Sequence, residues 1–373
     1  MAIGKVWGAL PRPPPRPSTY VCLRGVTVKY RLLGRTGVWV SEISLGAMTF
    51  GGRDHPVYGT HGALGQEDVD RVVGAALDAG INFLDTADVY ADGESEELLG
   101  RAVGRRRRDV VLATKLLAPV GPGPNDQGLS RLHVMRALED SLRRLGTDYI
   151  DLYQIHNHDH LTPLEETLSA LDDAVRQGKV RYIGCSNLAA WQISKALGIS
   201  ALHHQAAFVA NQAHYSLVAR DAEHELVPLA EDAGLGLTVW QPLAGGFLTG
   251  KFDRGGATTE PDSRRARNGF DFIPFDEDRG FAVLDVVRAV AARHEVGPAR
   301  VALAWLLAQR AVTSVIVGVR TVEQLADDVA AGDLTLTGQD LAELDEVSRP
   351  PATYPNWIQQ WFAPTRIPAG NLA

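Results

Sequence analysis

The sequence predicts an α/β fold, a (β/α)8 TIM barrel that carries an N-terminal β-hairpin, a long mouth loop and a C-terminal tail. Eight short apolar segments alternate with amphipathic helical patterns, and the units recur about every 30 residues. Parallel strands joined by crossover helices form one sheet, and eight of them close into a barrel. The alternative is an open doubly wound sheet, but no G-x-G-x-x-G sequence follows the first strand. A closed barrel therefore fits the pattern better.

Composition limits the classes of protein to consider. The chain has 373 residues, of which 45% are hydrophobic and 22% charged, and one barrel domain over residues 28–373 accounts for this length. The net charge of −8 argues against a nucleic-acid partner or an anionic membrane surface. No apolar run reaches the ~18 residues that a membrane span requires. Only Cys22 and Cys185 are present, too few for a disulfide framework, which indicates a cytoplasmic protein.

Residues 1–27 are predicted to be a flexible, proline-rich N-terminal extension. The segment contains PRPPPRP, which favours polyproline II conformation, and it lacks the longer apolar stretch of a secretion signal. Two interpretations stay open, a tail without a role and a segment that binds a partner.

The strands are predicted in chain order after this extension. Residues 30–40, YRLLGRTGVWV, place Gly34 and Gly37 between two β segments and predict a hairpin. The eight barrel strands are predicted in short, apolar segments suited to burial on both faces: SEISLG, INFLD, DVVLATK, IDLYQIH, VRYIGCS, QAAFVANQ, LGLTVWQP and VTSVIVG.

A helical pattern is predicted after each strand. In residues 65–80 apolar positions recur at helical spacing, and Gly80 is placed to end the helix. Ser130 is predicted to cap the helix in SRLHVMRALEDSLRRLG, and Thr162 to cap the next one, with Pro163 in its first turn. The other helices are predicted in ESEELLGRAVG, NLAAWQISKALG, EHELVPLAEDAG, RGFAVLDVVRAVAARH, GPARVALAWLLAQR and TVEQLADDVAAG.

Polar side chains end most of the predicted strands. In a barrel of this type the active site lies at the carboxyl ends of the strands, because the loops there form one mouth. The strand-end candidates, in chain order, are Asp85, Lys115, His156, Ser186, Asn187, Gln212, Trp240 and Gln241. Tyr90 follows Asp85 in a short loop, so a phenol is expected at the same mouth.

Asp85, Tyr90, Lys115 and His156 together suit proton transfer to an oxygen. A free tyrosine has a pKa near ~10, and a nearby lysine ammonium is expected to lower the pKa of Tyr90 by favouring the phenolate. Asp85 would balance the charge of a buried Lys115, and His156 would orient a carbonyl. Taken singly, each residue has a structural explanation, such as a turn cap or a packed ring. Their occurrence at three successive strand ends favours a catalytic set.

Five segments are specific enough to indicate a family. FLDTADVY carries the aspartate and the tyrosine, ATK the lysine and DLYQIH the histidine, and GKVRYIGCSN and VANQAHYSL lie in the next two strands. In this order and spacing they resemble the aldo-keto reductases, from about Tyr30 to Trp357. Within that family it resembles the branch of bacterial oxidoreductases and channel-β-subunit-like proteins. The resemblance implies a (β/α)8 barrel and reduction of an aldehyde or ketone with a nicotinamide cofactor.

The resemblance implies a role for each matching catalytic residue. Tyr90 would be the general acid and Lys115 the residue that adjusts its pKa. Asp85 would be the partner of Lys115, and His156 would orient the carbonyl.

The resemblance also implies a cofactor site along the mouth. Ser186, Asn187 and Gln212 would hold the nicotinamide carboxamide, and Trp240 would stack on the ring. The further residues implied in cofactor binding are Gly46, Ala47, Met48, Gln241, Pro242, Leu243, Gly245, Leu248, Lys251, Gly318, Arg320, Gln324, Asp327 and Asp328. Among these, QPLAGGFLTGK (241–251) would cover the pyrophosphate with backbone groups.

The adenosine end of that site implies NADPH in preference to NADH. Arg320 suits a 2′-phosphate, because a guanidinium binds phosphate in a bidentate manner. Asp328 stands where relatives usually have an asparagine near the adenine. It can accept a hydrogen bond from the adenine amino group, but it adds negative charge near a phosphate pocket.

Three other functions stay open from the sequence. HNHDH (156–160) contains an H-x-H pattern found in metal-dependent barrel hydrolases, but the other strand ends carry Lys115, Ser186 and Gln212, so no metal is predicted. The same site run in reverse would be an NADP-dependent alcohol or sugar dehydrogenase. A cofactor-binding, redox-sensing subunit is the non-enzymatic alternative.

The substrate is predicted to be a small carbonyl compound, sugar-like or cyclic, because aromatic residues stand next to polar ones near the mouth. Packing of the tail on the outside of the barrel is the alternative for its aromatic residues. Arg264, Arg265 and Arg267 in the long loop are expected to be solvated. Monomer and homo-oligomer both stay open. The residues expected near the substrate are Met48, Phe50, Trp191, Tyr354, Trp357, Trp361 and Phe362.

Overall fold

The computed structural model describes residues 22–23, 26–254 and 275–363. Of the predicted flexible extension over residues 1–27, residues 1–21 and 24–25 lie outside the described residues, as do the loop arginines Arg264, Arg265 and Arg267. Cys22–Leu23 and Val26–Thr27, within the same predicted extension, pair as antiparallel strands. The strands are β1 Cys22–Leu23, β2 Val26–Thr27, β3 Tyr30–Leu32, β4 Trp39–Ser41, β5 Ile43–Gly46, β6 Phe83–Asp85, β7 Val111–Leu116, β8 Ile150–Ile155, β9 Val180–Ser186, β10 Phe208–His214, β11 Gly236–Trp240 and β12 Val312–Val317.

The helices of the described residues surround these strands. They are α1 Gln66–Asp78, α2 Glu94–Val103, α3 Arg131–Leu145, α4 Leu164–Arg176, α5 Ala190–His203, α6 Ala222–Ala233, α7 Glu277–Arg293, α8 Pro298–Ala308, α9 Val322–Val329, α10 Gly338–Ser348 and α11 Asn356–Phe362. No helix within the described ranges is both long and apolar enough to cross a lipid bilayer.

Strands β5 to β12 form a closed barrel in which every neighbouring pair is parallel. Closure occurs where β12 pairs with β5, with Val315 opposite Ile43 and Val317 opposite Leu45. The predicted (β/α)8 fold is confirmed. The reason is that each apolar strand is buried on both faces, by the barrel interior and by the surrounding helices.

The structure tests the two helix caps that the sequence predicts. The Ser130 side chain accepts a hydrogen bond from the backbone N–H of His133, so the predicted cap of α3 is confirmed. The predicted Thr162 cap is wrong, because Pro163 is the residue that precedes α4 and no side chain caps it. The Thr162 hydroxyl instead donates to Asp159 Oδ2 at 2.6 Å.

The predicted N-terminal hairpin forms from β3 and β4 and covers the amino-terminal end of the barrel. The strands pair antiparallel, with Tyr30 opposite Ser41. Leu33 and Val40 are fully buried in a separate small core. That core also contains the inward-facing side chains of the lower barrel, Phe83, Ala113, Leu152 and Ala210.

The barrel interior changes from apolar to polar over two residues. Side chains at positions i and i+2 of a strand face the same side. The residue two positions after each lower apolar residue therefore also faces the barrel interior. The position two residues beyond each lower residue carries a polar group: Asp85 on β6, Lys115 on β7, Gln154 on β8 and Gln212 on β10. The fold therefore gathers buried polar side chains at the carboxyl end of the strands.

Candidate active site

Asp85 and Lys115 form a buried ion pair where β6 and β7 end. The Lys115 Nζ donates to Asp85 Oδ2 at 2.6 Å and to the Thr86 carbonyl oxygen at 2.8 Å. Burial by itself lowers the pKa of Lys115, but Asp85 and Tyr90 outweigh burial and leave that pKa raised. Lys115, which is 0% exposed, therefore carries a positive charge at neutral pH.

Tyr90 begins a short turn, Tyr90–Gly93, with an unusual backbone. Ala91, Asp92 and Gly93 have φ values of 50°, 55° and 92°, all in the left-handed region. For an alanine this conformation costs roughly 1–2 kcal/mol, so the surrounding structure must hold the turn. The turn directs the ring of Tyr90 to Lys115, whose Nζ lies 5.2 Å from the ring centre.

The pKa of Tyr90 is raised, opposite to the direction expected from the sequence. Burial of the phenol raises this pKa and outweighs the lowering by Lys115, and Asp85 and Asp88 raise it further. Lys115 acts in the predicted direction, but the sequence pattern did not indicate how strongly burial would oppose it. The phenol is consequently protonated at neutral pH, the state from which it can donate a proton.

His156 follows β8 and faces Tyr90. The ring centres are 5.9 Å apart and the ring planes meet at 74°. Burial, followed by the charge of Lys115, lowers the pKa of His156 to about 3. The imidazole is neutral at ordinary pH, so it can donate one N–H to an oxygen without taking a proton from Tyr90. The four predicted catalytic side chains thus meet at one mouth.

Ser186 and Gln212 lie beside this group and are held by hydrogen bonds. The Ser186 hydroxyl donates to the Gln212 carbonyl oxygen at 3.0 Å, across the pairing of β9 and β10. The Gln212 side-chain amide donates to Asp85 Oδ1 at 2.9 Å. The amide of Gln154 also donates to Asp85 Oδ1, at 3.3 Å. Gln212 therefore orients Asp85, a contact that the sequence did not predict.

Asn187 and Trp240 are joined across the mouth. Asn187 has a φ of 57°, and its side-chain amide donates to the His156 carbonyl oxygen at 3.0 Å. Its Oδ1 accepts a hydrogen bond from the Trp240 indole at 3.1 Å. The Trp240 ring stacks on His214, with ring centres 4.6 Å apart. This set provides a fixed aromatic wall beside the four predicted catalytic side chains.

The segment predicted to cover a pyrophosphate, QPLAGGFLTGK, turns sharply after β11. Gly245 and Gly246 have φ values of 65° and 92°, and a Cβ added at Gly245 would contact nothing within 4 Å. The Gly245 N–H donates to the Gln241 side-chain oxygen, and the Leu248 N–H donates to the Leu243 carbonyl oxygen. Pro242 and the Leu248 side chain are buried, whereas Lys251 is partly exposed.

Phenylalanines anchor this segment from below. Phe247 lies 4.8 Å from Phe275 and 5.1 Å from Phe281 between ring centres, and it stacks with Phe252 at 6.4 Å. Because Phe247 is fully buried, the turn is fixed to α7 while Gly245 faces open space. The segment thus has the form of a cradle lined by backbone.

The first and last barrel strands carry the remaining predicted cofactor residues. The Thr49 hydroxyl donates to the Val319 carbonyl oxygen at 3.0 Å, which ties the loop after β5 to the loop after β12. The Gly46–Met48 segment and Gly318 therefore lie in neighbouring loops. The Arg320 N–H donates to the Gln324 side chain at 2.8 Å, next to the Thr321 cap of α9.

Asp327 and Asp328 differ in their surroundings. Asp327 forms an ion pair with Arg300. Asp328 is buried, and burial followed by the charge of Asp327 raises its pKa to about 7. The negative charge expected at this position is therefore only partly present at neutral pH.

The structure adds mouth residues that the sequence reasoning missed. Tyr58 lies 5.9 Å from Tyr90 between ring centres, flanked by His55 at 4.8 Å and His61 at 5.9 Å. The His55 Nδ1 fixes the loop by accepting hydrogen bonds from the N–H groups of Val57 and Tyr58. The sequence could have indicated Gln154, because it lies two residues before His156 and a strand places such residues on the same face. Nothing in the sequence indicated that the Tyr58 loop reaches the mouth.

Several residues expected near the substrate are placed differently. Phe50 is fully buried and belongs to the main hydrophobic core. Met48 is partly buried and Trp191 is 63% exposed. The tail forms α11, which Asn356 attaches to the start of α6 by donating to the His224 carbonyl oxygen at 2.7 Å. Its aromatic side chains are exposed: Tyr354, Trp357, Trp361 and Phe362.

The H-x-H segment does not assemble a metal site with its surroundings. His158 and His160 contact each other edge to face, with ring centres 4.8 Å apart. In the part of the chain that the structure describes, no three His, Cys, Asp or Glu side chains come together in a way that could hold a metal ion. The metal-dependent hydrolase alternative therefore lacks its ligands within those residues.

Comparison with known proteins agrees with this barrel and its mouth. The family model described as "Aldo/keto reductase family" matches residues 42–349. An uncharacterised oxidoreductase of Bacillus subtilis (strain 168), YrpG, is 39% identical over 331 residues, covering 86% of this chain and 96% of that protein. A probable voltage-gated potassium channel subunit beta of Oryza sativa subsp. japonica is 37% identical, covering 82% and 92%.

A further relative carries a reductase name. The versiconal hemiacetal acetate reductase of Aspergillus parasiticus is 32% identical over 350 residues, covering 88% of this chain and 99% of that protein. The chain belongs to the aldo/keto reductase family, and it is an oxidoreductase of that family. The family predicted from the sequence segments is confirmed.

Proposed function

We propose that the protein reduces an aldehyde or ketone to an alcohol with NADPH, and that Tyr90 is the general acid. The observation that carries the proposal is the convergence of Tyr90, Lys115, Asp85 and His156 at one barrel mouth. NADPH, when bound, supplies the hydride that reduces the carbonyl carbon. The chain supplies the proton and the site that orients the carbonyl oxygen.

Tyr90 and His156 divide the work at that oxygen. The protonated phenol donates its proton as negative charge develops on the oxygen, and the neutral imidazole donates a second hydrogen bond. Lys115, held by Asp85, stabilises the phenolate that remains. Gln154 and Gln212 fix Asp85 in turn, so the ion pair is oriented before substrate binds.

The residues along the mouth fit an NADP cofactor. Ser186, Asn187 and Gln212 would hold its carboxamide, and Trp240 would stack on the ring. The cradle at Gly245, where an added Cβ would meet open space, suits a pyrophosphate. The other residues we assign to the cofactor are Gly46, Ala47, Met48, Gln241, Pro242, Leu243, Leu248, Lys251, Gly318, Arg320, Gln324, Asp327 and Asp328.

We propose NADPH in preference to NADH because of Arg320 and Asp328. The guanidinium of Arg320 suits the 2′-phosphate. Asp328 carries only part of a negative charge at neutral pH, which weakens the objection to a phosphate nearby. We further propose a sugar-like or cyclic carbonyl substrate, supported by the polar aromatic loop of His55, Tyr58 and His61, and a cytoplasmic location, supported by the low cysteine content.

A second candidate is a cofactor-binding regulatory subunit. It is favoured by the similarity to the potassium channel beta subunits named above. This candidate and the reductase share cofactor binding, but only the reductase turns over a carbonyl. Binding without turnover across a broad substrate panel would favour the regulatory role.

Replacing Tyr90 by phenylalanine tests the proposed function. We expect Tyr90→Phe to fold and to bind NADPH with wild-type affinity, because only the hydroxyl is removed. Reduction of aromatic aldehydes, dicarbonyls and keto-sugars should fall by about 10²- to 10⁴-fold, the usual contribution of a general acid. NADPH binding is measured by fluorescence and reduction by NADPH consumption. Reduction at the wild-type rate would show that the proton comes from another group.

A further inference from the structure

A second group of buried polar side chains lies behind Tyr90, on the helix side of the barrel wall. Glu96 on α2 is 0% exposed; its Oε2 accepts from Arg144 Nε at 2.7 Å and its Oε1 from the Thr114 hydroxyl at 2.6 Å. Asp88, two residues before Tyr90, is 1% exposed, and Tyr153 on β8 is 0% exposed. We call Asp88, Glu96, Arg144 and Tyr153 the rear cluster. In the site described above it enters only through the effect of Asp88 on the pKa of Tyr90.

The rear cluster contacts the turn that carries Tyr90. A Cβ added at Gly93 would lie 2.6 Å from Cδ and 2.8 Å from Nε of Arg144, so the guanidinium stem packs directly against the turn. The Asp88 N–H donates to the Lys115 carbonyl oxygen at 3.1 Å, which fixes the start of the turn to β7. The left-handed backbone at Ala91 is therefore clamped between α3 and the barrel wall.

The cluster also contains more acid than base. One guanidinium, Arg144, faces two buried carboxyl groups, and Glu96 already pairs with it. Neither oxygen of Asp88 makes a well-formed hydrogen bond within the described residues, and the same is true of the Tyr153 hydroxyl. The Val89 N–H lies near Asp88 and favours its charged form, but it offsets the effect of burial only in part. A buried carboxyl in such surroundings retains its proton to higher pH.

We propose that the rear cluster positions Tyr90 by holding the strained turn, and that ionisation of Asp88 is coupled to ionisation of the Tyr90 phenol. This inference rests on the proposed role of Tyr90 as the general acid. Asp88 is a positioning residue, because it is buried behind the turn and acts through Tyr90. The charged and titratable groups that interact with Asp88 are Glu96, Arg144, Lys115, Tyr153, Tyr90 and Tyr58.

The sign of the coupling follows from charge. Burial, followed by Glu96, raises the pKa of Asp88 well above its ordinary value, and Asp88 in turn raises the pKa of Tyr90. When Asp88 ionises, its negative charge keeps Tyr90 protonated to higher pH. The cluster would thus extend the pH range over which the phenol can donate a proton.

Asp88→Asn tests the coupling, with Glu97→Gln as its matched control. Both variants remove one carboxylate near or on α2, but Glu97 is at the surface with a side chain 47% exposed. Ionisation of Tyr90 is measured in ligand-free protein from the phenolate absorbance during a pH titration. Each protein is titrated with and without the Tyr90→Phe substitution, and the difference is the signal of Tyr90. We expect the pKa of Tyr90 to fall in Asp88→Asn and to stay unchanged in Glu97→Gln. The alkaline limb of the reduction rate should move to lower pH in the same variant, by up to about one unit, equivalent to about tenfold on that limb.

Stability against pH provides a readout without turnover. The folded pKa of Asp88 is above its unfolded value, so wild-type stability should fall as pH rises from the unfolded pKa through the folded one. That loss should be absent from Asp88→Asn, and Asp88→Ser is measured beside it in case one variant does not fold. If Asp88→Asn matches wild type in both the phenolate titration and the dependence of stability on pH, the coupling is disproved. If Asp88→Asn changes both the phenolate titration and the dependence of stability on pH but wild type reduces no carbonyl, the proposed function fails while the coupling between Asp88 and Tyr90 stands.

Discussion

At the residue scale, the site depends on how burial and charge compete at single groups. Burial lowers the pKa of His156 to about 3, whereas Lys115 remains charged because Asp85 lies 2.6 Å away. Tyr90 experiences both effects, and burial wins. The same physics places a protonated acid, a neutral hydrogen-bond donor and a cation within one mouth.

Asp328 gives a pH-dependent prediction for cofactor binding. Its pKa of about 7 means that a rise in pH adds negative charge beside the proposed phosphate site. We expect NADPH affinity in wild type to weaken by about two- to tenfold between about pH 6 and pH 8, and Asp328→Asn to weaken less. The cofactor phosphate itself titrates near pH ~6, so the comparison is made between variants by fluorescence titration.

Glu323→Gln is the matched control for that experiment. Glu323 lies on the same helix, α9, but its side chain is exposed in the first turn. It should retain the wild-type dependence on pH. An Asp328→Asn variant with the wild-type slope would show that Asp328 does not titrate near the cofactor.

At the element scale, close packing between helices sets the position of the Tyr90 turn. Helix α2 follows that turn directly, and it packs against α3, which carries Arg144. A Cβ added at Gly100 would lie 2.4 Å from the Leu145 carbonyl oxygen, so a glycine is required at this crossing. The end of α3 and the middle of α2 are therefore fixed to each other through backbone contact.

Two glycine substitutions test this contact. Gly100→Ala should lower the free energy of unfolding by roughly 1–3 kcal/mol, because the methyl group has no space against backbone. Gly74→Ala in α1 should raise it by up to about 1 kcal/mol, because a Cβ there meets nothing within 4 Å and alanine favours a helix. Denaturant unfolding measures both. Equal effects of the two substitutions would contradict the packing argument.

At the scale of the whole molecule, the barrel separates a stability end from a chemistry end. The hairpin residues Leu33 and Val40 close the amino-terminal end with the small apolar core of Phe83, Ala113, Leu152 and Ala210. The polar layer begins two residues higher on the same strands. The two ends share strands but are built from different side chains, so substitutions at one end should leave the other largely unchanged.

Leu33→Ala tests that separation. Leu33 is fully buried, so its truncation should cost about 2–5 kcal/mol in the free energy of unfolding. NADPH affinity, measured below the unfolding transition, should stay at the wild-type value. Leu161→Ala is the control, since Leu161 is 94% exposed and should change neither quantity. A large loss of NADPH affinity in Leu33→Ala would mean that the two ends are coupled.

The sequence by itself determined the order of strands and helices and the polar residues at the strand ends. Apolar spacing reports which side of an element is buried, and a strand that ends on Asp85 or Lys115 indicates the mouth whatever the details of packing. Family motifs then implied the roles of these residues. Local capping was less secure, as Thr162 shows, because a nearby carboxylate, Asp159, competes for the same hydroxyl.

Only the tertiary structure decided how these groups influence one another. Three features depend on distances between residues far apart in the chain. They are the direction in which the pKa of Tyr90 shifts, the left-handed turn after Tyr90, and the rear cluster. The Tyr58 loop reaches the mouth for the same reason. Burial and Coulomb interactions depend on distances in space. The sequence therefore indicates which residues belong to the site, whereas the relative sizes of their interaction energies depend on the folded structure.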